Sequence, residues 1–177
     1  MRLREATKAD AELLDRWDHD PAYWLGEFNH FGVTRARRHA EVLAEGERLV
    51  GPASGTLLVE RLDTAEVIGD IGWHATRYGP NDESTAWNIG ISLIPTARGR
   101  GYGAEAQRLV ALLLFDTTEV ARVEASTDVE NLAEQQALER AGFVREGVLR
   151  RAQYREGGWH DLVVFSIVRS DLSAPLD

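Results

Sequence analysis

From Pro95 to Ala104 the chain reads Pro-Thr-Ala-Arg-Gly-Arg-Gly-Tyr-Gly-Ala, with glycines at 99, 101 and 103 and arginines at 98 and 100. Glycine carries no Cβ, so such a backbone can curl tightly and aim several N–H groups at one point. The run lies between an apolar, strand-like stretch (Trp87 to Ile94) and an apolar, helix-like one (Glu105 to Phe115). Where a curl opens a helix, the N–H groups and the positive helix end together hold phosphate. Arg98 and Arg100 place charge where a pyrophosphate would sit. The chemistry this spacing permits is the holding of a phosphorylated carrier.

The spacing G-x-G-x-G is one residue short of the dinucleotide fingerprint, and it falls in mid-chain rather than after a first strand. No G-K-[ST] follows, which excludes a Walker-type loop. A plain strand-to-helix turn rarely needs three glycines and two arginines. There are no cysteines, so disulfides, thiolate zinc and a cysteine nucleophile are excluded. The five histidines show no metal-ligand spacing, so no metal is expected.

The elements that must position this loop can be read along the chain. Leu3 to Glu5 reads as a first strand, and Thr7 or Asp10 can cap a helix through Leu13, Leu14 and Trp17. An aromatic stretch follows (Tyr23, Trp24, Phe28, Phe31), and Thr34 can cap a second helix carrying Ala40, Val42 and Leu43. Leu57–Glu60 and Val67–Trp73 read as antiparallel strands, and a polar loop from Tyr78 to Ser84 leads into Trp87–Ile94. After the glycines, Leu109, Leu112, Leu113 and Phe115 form the apolar face of a helix. Val120–Thr127 is a further strand, and Asn131–Ala141 a helix stopped by Gly142. Arg150–Tyr154 and Trp159–Val168 close the chain as a hairpin around Gly157-Gly158. The expected fold is α/β (α+β): one twisted, mostly antiparallel sheet of about seven strands with about four helices on both faces.

With 177 residues, one domain with a real core is expected. The net charge of −9, from 20 Lys+Arg against 29 Asp+Glu, disfavours nucleic acid and suits cationic partners. It also serves solubility alone. No apolar run approaches the ~20 residues of a membrane helix, and Met1–Glu5 holds no apolar signal core. A cytoplasmic protein without membrane partners is expected.

Arg98-Gly99-Arg100-Gly101-Tyr102-Gly103-Ala104 is similar to the acyl-CoA pyrophosphate loop, Q/R-x-x-G-x-G/A, of the GCN5-related N-acetyltransferases, the GNAT superfamily. Thr127 to Asn131, then Ala137 to Phe143, followed by Glu146-Gly147 and Arg150, resembles that family's N-x-A-S…L-E-K-x-G-F…E-G stretch. Gly158-Trp159-His160-Asp161 before Ser166–Arg169 resembles the ribosomal-protein N-acetyltransferase-like (RimJ/RimL-type) subgroup. The resemblance runs from about Leu3 to Asp171 and implies a single N-acetyltransferase domain over 1–177, with a splayed pair of central strands.

It further implies acetyl-CoA as acyl donor, with the backbone of Ile91, Ser92 and Leu93 pairing with the pantetheine arm much as another strand would. The N–H groups of Gly99, Arg100, Gly101, Tyr102, Gly103 and Ala104 would hold the pyrophosphate beside Arg98 and Arg100. Asn131 matches a position that contacts the cofactor arm, although as a residue it equally reads as a helix N-cap. The chemistry is direct attack of an amine on the thioester, which needs a base, an oxyanion donor (the Leu93 backbone N–H) and a proton for the thiolate. Trp24, Phe28, Asn88 and His160 are candidates for the acceptor pocket.

The chain departs from the family's pattern at the proton-handling positions. Leu138 replaces a common tyrosine, Glu134 a serine and Asn88 a glutamate, and Ser126 stands where an acid would end the next strand. Glu134 can substitute as a base or water-holder. Without an acid, the CoA thiolate can leave unassisted, since a free thiol has a pKa of about 8.5. The acceptor is a protein N-terminus, a polyamine or aminoglycoside, or a small amine metabolite, and homodimers are common in the family. The rival reading is a non-catalytic acyl-CoA-binding sensor that kept the cradle and lost the acid and base.

Overall fold

A computed structural model describes residues 1–20, 23, 28, 31 and 38–173. It contains strands β1 (Arg2–Glu5), β2 (Ser54–Glu60), β3 (Val67–Arg77), β4 (Thr85–Leu93), β5 (Arg122–Asp128), β6 (Val144–Arg155) and β7 (Gly158–Val168). The α-helices among the described residues are α1 (Ala11–His19), α2 (His39–Ala44), α3 (Tyr102–Thr117) and α4 (Leu132–Ala141). All seven strands form one sheet in the order β1-β2-β3-β4-β5-β7-β6. Every neighbouring pair is antiparallel except β4 and β5. The expected fold class is the one observed.

Side-chain alternation along β2 divides the core. Leu57 and Val59 face the main cluster, built with Ala106, Val110, Leu114 and Phe115 of α3, Leu138 and Ala141 of α4, and Val123 and Phe165 of the sheet. Leu58 faces the other way, onto Leu14 and Trp17 of α1, Leu43 of α2 and Tyr23. Helices thus cover both faces. On the second face the Trp17 and Tyr23 rings stack with centroids 4.5 Å apart.

The helix α3 is rich in alanine and leucine, which favours the helical state. Its last turn is closed by Thr117 and Thr118, whose hydroxyls donate to the Leu113 and Leu114 carbonyls at 2.7 and 2.6 Å. One expectation fails here. Leu112 and Leu113 are half-exposed, and the buried stripe runs instead through Ala106, Val110, Ala111, Leu114 and Phe115. With apolar residues on almost every side, the helical period cannot choose a face; the sheet does. α4 ends where Gly142 takes a left-handed conformation and the Phe143 N–H donates to the Leu138 carbonyl at 3.0 Å.

Several boundaries also move. The closing strand β6 starts at Val144 rather than Arg150, because pairing with β7 continues through two irregularities, between Arg145 and Gly147 and between Leu149 and Gln153. The hairpin turn is Glu156-Gly157, one residue early, with both residues at positive φ (50° and 80°), as a type I′ turn requires. Thr34 lies outside the described residues, and α2 begins at His39 after Arg38.

An ionic network ties the chain's start to the sheet. Arg4 donates to both carboxylate oxygens of Asp10, at 2.9 and 2.8 Å, and Arg2 and Arg4 both pair with Glu60 of β2. Asp10 also accepts from the Thr7 N–H at 2.8 Å. Arg4 holds the Asp10 carboxyl down at about 2, against burial, which acts the other way. A carboxyl lowered by folding stabilises the protein above its unfolded value near 4 and loses that contribution as pH falls toward 2. Urea unfolding is therefore expected to weaken between pH 4 and 2, and Asp10→Asn is expected to flatten that slope while lowering stability at pH 7.

Candidate active site

β4 and β5 run parallel and pair only at Trp87↔Val123 and Asn88↔Glu124. Beyond those positions they continue to Leu93 and Asp128 without pairing, so a fork opens in the middle of the sheet. Ladder alternation decides which backbone groups face the fork. The Ile94 N–H donates to the Ile68 carbonyl, so Gly90 and Ser92 bond to β3 while Ile89, Ile91 and Leu93 turn toward β5. Across the gap, the Arg169 N–H donates to the Ala121 carbonyl. That places the backbones of Glu124, Ser126 and Asp128 on the fork side. Of the three strand residues read from the sequence, Ile91 and Leu93 thus present backbone to the gap and Ser92 does not. The Leu93 carbonyl is taken by Arg98 Nε at 2.9 Å.

The glycine run sits at the open end of the fork. Pro95–Ala97 make one 3-10 turn, and Gly99 and Gly101 then take φ of +70° and +86°. An L side chain strains at such values, and an added Cβ at either residue would meet nothing within 4 Å, so the glycines serve the backbone and leave open space beside it. Gly101 is the N-cap of α3 and, as a glycine, brings no side chain of its own to cap that end. The N–H groups of Tyr102, Gly103 and Ala104 form the first turn there, with the positive helix end behind them. Arg98 and Arg100 are exposed beside it. This end of α3 can bind an anion. Gly69 matters for a different reason: a Cβ there would lie 2.2 Å from the Ser92 carbonyl oxygen, so only glycine lets β3 approach the end of β4 this closely.

Asn131 is the N-cap of α4, its Oδ1 accepting from the Glu134 N–H at 3.3 Å while its Nδ2 donates to Thr127 Oγ1 at 3.0 Å. The side chain therefore does structural work at the mouth of the fork. Leu138, in the tyrosine position, is fully buried in the core. Glu134, one turn earlier on the same helix face, is not an ordinary surface glutamate. It is partly buried, and that burial pushes its carboxyl up to about 7, with the Gln107 amide pulling the other way.

A second carboxylate, which the sequence reading did not single out, stands at the root of the fork. Glu124 is 3% exposed and points to the sheet face opposite α3 and α4, since its neighbours Val123 and Ala125 face those helices. It accepts from the Tyr78 hydroxyl at 2.6 Å, Arg122 Nε at 2.9 Å and Asn88 Nδ2 at 3.4 Å. The hydrogen bond to Glu124 raises the Tyr78 phenol above its ordinary value, with burial adding to it. Arg122 reaches on to Glu146 with two bonds of 2.6 and 2.7 Å, and that pair, helped by Ser166, holds Glu146 at about 2. Beside this cluster lies a groove of about 670 Å³ lined by Tyr78, Arg122, Glu146, Val148, Leu149 and Val164 among others. No periodicity flags Glu124; only the Asn88↔Glu124 register makes it a fork residue.

Phe28 and His160 do come together, around Arg155. The Phe28 carbonyl accepts from Arg155 Nη1 at 3.3 Å, and the Arg155 guanidinium lies 5.5 Å from the Phe28 ring centre. His160 Nδ1 lies 2.9 Å from Arg155 Nη2 and 3.5 Å from Asp128 Oδ2. Arg155 and Asp128 form a buried ion pair at the end of β5. Trp24, the remaining acceptor candidate, lies outside the described residues. Among those residues there is no cluster of side chains able to hold a metal ion and no helix long and apolar enough to cross a membrane.

Solved structures share this architecture. RimL, a ribosomal L7/L12 alpha-N-protein acetyltransferase in complex with coenzyme A, superposes with a TM-score of 0.73 at 18% identity, covering 94% of this chain and 92% of that one. AAC(6′)-Ib in complex with ribostamycin and coenzyme A superposes with a TM-score of 0.72 at 20% identity, covering 99% and 97%. At such identities the likeness is one of fold. In sequence, the uncharacterized N-acetyltransferase YoaA of Bacillus subtilis (strain 168) is 34% identical over 111 residues, 63% of this chain. That match spans only 60% of the relative's length. The profile of the acetyltransferase (GNAT) domain matches residues 1–144. A forked central sheet, a glycine-opened helix at its mouth and that profile match together establish that the chain belongs to the GNAT acetyltransferase family.

Proposed function

We propose that this chain is an acetyl-CoA-dependent N-acetyltransferase that moves the acetyl group directly to a primary amine, with residues 1–177 acting as one domain. The observation that carries the reading is the fork: the backbone of Ile91 and the N–H of Leu93 face a gap with no strand pairing, which ends at the glycine-opened start of α3. An amide-bearing arm can pair with the first, and a pyrophosphate can sit on the second, beside Arg98 and Arg100. The Leu93 N–H then donates to the developing oxyanion. Asn131 lies at the mouth of the same gap, its cap and its bond to Thr127 leaving it as a wall of the arm's channel.

Two carboxyls on opposite sides of the sheet divide the proton work. Glu124 lies on the groove side and receives the amine's proton, directly or through a water, with Asn88 and Tyr78 orienting it. Glu134 lies on the α3/α4 side, carries a proton near neutral pH and supplies it to the departing thiolate. The presence of both groups favours an enzyme over a binding-only sensor. Phe28 and His160 border the acceptor, which is a protein N-terminus, a polyamine or aminoglycoside, or a small amine. The fold likeness to RimL and AAC(6′)-Ib supports amine acceptors, and the RimJ/RimL-type subgroup in particular. The same reading places the protein in the cytoplasm.

The test is thiol release from acetyl-CoA in the presence of a panel of amines drawn from the three classes. Turnover with any of them is expected; tight CoA binding with none would establish the sensor instead. Gly101→Val forces a β-branched residue into the left-handed region, which costs about 1–2 kcal/mol before any clash with a ligand. CoA affinity by calorimetry is expected to fall roughly tenfold or more, and unchanged affinity would remove the loop from the site.

A further inference from the structure

Glu124 stands behind the groove rather than in its wall. It is 3% exposed, and the residues that line the groove include Tyr78 and Arg122, both bonded to Glu124, but not Glu124 itself. Its Oε2 accepts from the Tyr78 hydroxyl at 2.6 Å and from Arg122 Nε at 2.9 Å, and its Oε1 from Asn88 Nδ2 at 3.4 Å. An amine lying in the groove therefore meets Tyr78 before it meets the carboxylate.

Tyr78 joins the two. It follows the last residue of β3, and its N–H donates to the Ser84 carbonyl at 2.9 Å, which closes the loop leading to β4. The Arg122 guanidinium lies 5.7 Å from the centre of its ring. The backbone and the ring are thus held, yet the residue is 64% exposed. Its hydroxyl reaches a buried carboxylate while much of its surface stays open to solvent. A phenol carries one O–H and acceptor lone pairs on the same oxygen. Here the O–H is given to Glu124, and among the described residues no hydrogen bond is donated to the oxygen. An acceptor position on Tyr78 Oη is left for a ligand.

We propose that Tyr78 is a catalytic residue that carries a proton from an amine in the groove to Glu124. This rests on the base role given to Glu124 above, and it puts the phenol where a bridging water would otherwise stand. As the amine nitrogen bonds to the thioester carbonyl carbon, one N–H proton passes to Tyr78 Oη and the phenol proton passes to Glu124 Oε2. The amine has then lost one proton, the carboxylate has gained one and the phenol is unchanged. The reverse path returns the proton to solvent once the amide has left. The role needs a phenol that keeps its proton until the moment of transfer. The bond to Glu124, which raises the phenol above its ordinary value, has that effect.

Tyr78→Phe removes the hydroxyl and keeps the ring beside Arg122, whose two bonds to Glu146 remain. Its melting temperature should stay level. Single-turnover acetyl transfer to an amine active in the panel is expected to slow about 10–100-fold, since a water entering the gap replaces the hydroxyl only in part. CoA affinity by calorimetry should not change. A relay and its base form one path, so Tyr78→Phe should cost nothing further in a Glu124→Gln background. Losses that multiply mean that Tyr78 acts apart from Glu124, and they overturn the proposal. The transfer rate in mixtures of light and heavy water should follow a curve in the wild type, where two protons move together, and a straight line in Tyr78→Phe. A straight line in both means that Tyr78 only orients Glu124, which also overturns it. Full-rate transfer in Tyr78→Phe with Glu124→Gln slow removes the relay and leaves the base, whereas full-rate transfer in Glu124→Gln removes both.

Discussion

Arg155→Ala is expected to lower folding stability by about 3–5 kcal/mol, the cost of leaving one charge of a buried ion pair uncompensated. Arg155 and Asp128 are 2% and 3% exposed. The guanidinium bonds Asp128 at the end of β5, Gln153 Oε1 at 3.1 Å, the Phe28 carbonyl and His160. Removing it strips Asp128 of its counter-ion and unties the β6–β7 hairpin from the fork. The pair's net contribution is a separate matter, because desolvating two charges offsets much of their attraction. The double variant Arg155→Met, Asp128→Leu is therefore expected to recover most of the loss. Urea unfolding measures both, and a loss below about 1 kcal/mol for Arg155→Ala would mean that water reaches Asp128 and the pair is not an anchor.

Glu124→Gln is expected to cut acetyl transfer by about 10²–10⁴-fold, the usual contribution of a positioned general base, with CoA affinity unchanged. Glutamine keeps an oxygen for the Tyr78 hydroxyl and for Arg122, and Arg122 retains its two bonds to Glu146, so the fold around the fork should survive. The variant loses the capacity to take a proton, together with the charge beside Arg122 and one acceptor oxygen. Steady-state kinetics decides the matter. Wild-type turnover in Glu124→Gln would return the base role to solvent.

The carboxylates show where reading the chain residue by residue stops. Glu124 stands in an ordinary strand sequence, and the partners that give it a role lie 46 and 36 residues away, at Tyr78 and Asn88. Glu134 was visible as a candidate because it replaces a serine in a motif. Its elevated carboxyl comes from burial by segments distant in sequence, which no motif marks. The apolar face of α3 differs from the one the helical period predicts for a related reason: in a helix rich in alanine and leucine on almost every side, the partner surface selects what is buried.

Features whose cause is local were legible in the sequence alone. The glycines at 99 and 101 were needed for backbone that only glycine adopts easily, Asn131 for a cap three residues long, and Gly142 for a helix end. Alternation and period located the strands and helices, and with the glycine run they were enough to indicate the fold class. What only the tertiary structure decided is the separation of β4 from β5, which backbone groups that leaves facing the gap, and which carboxyls stand on either side of it. Those depend on strand register and on burial by distant segments. Both are set by the whole core at once, because a side chain's face, partners and dielectric surroundings are properties of the packed chain and not of its neighbours in sequence.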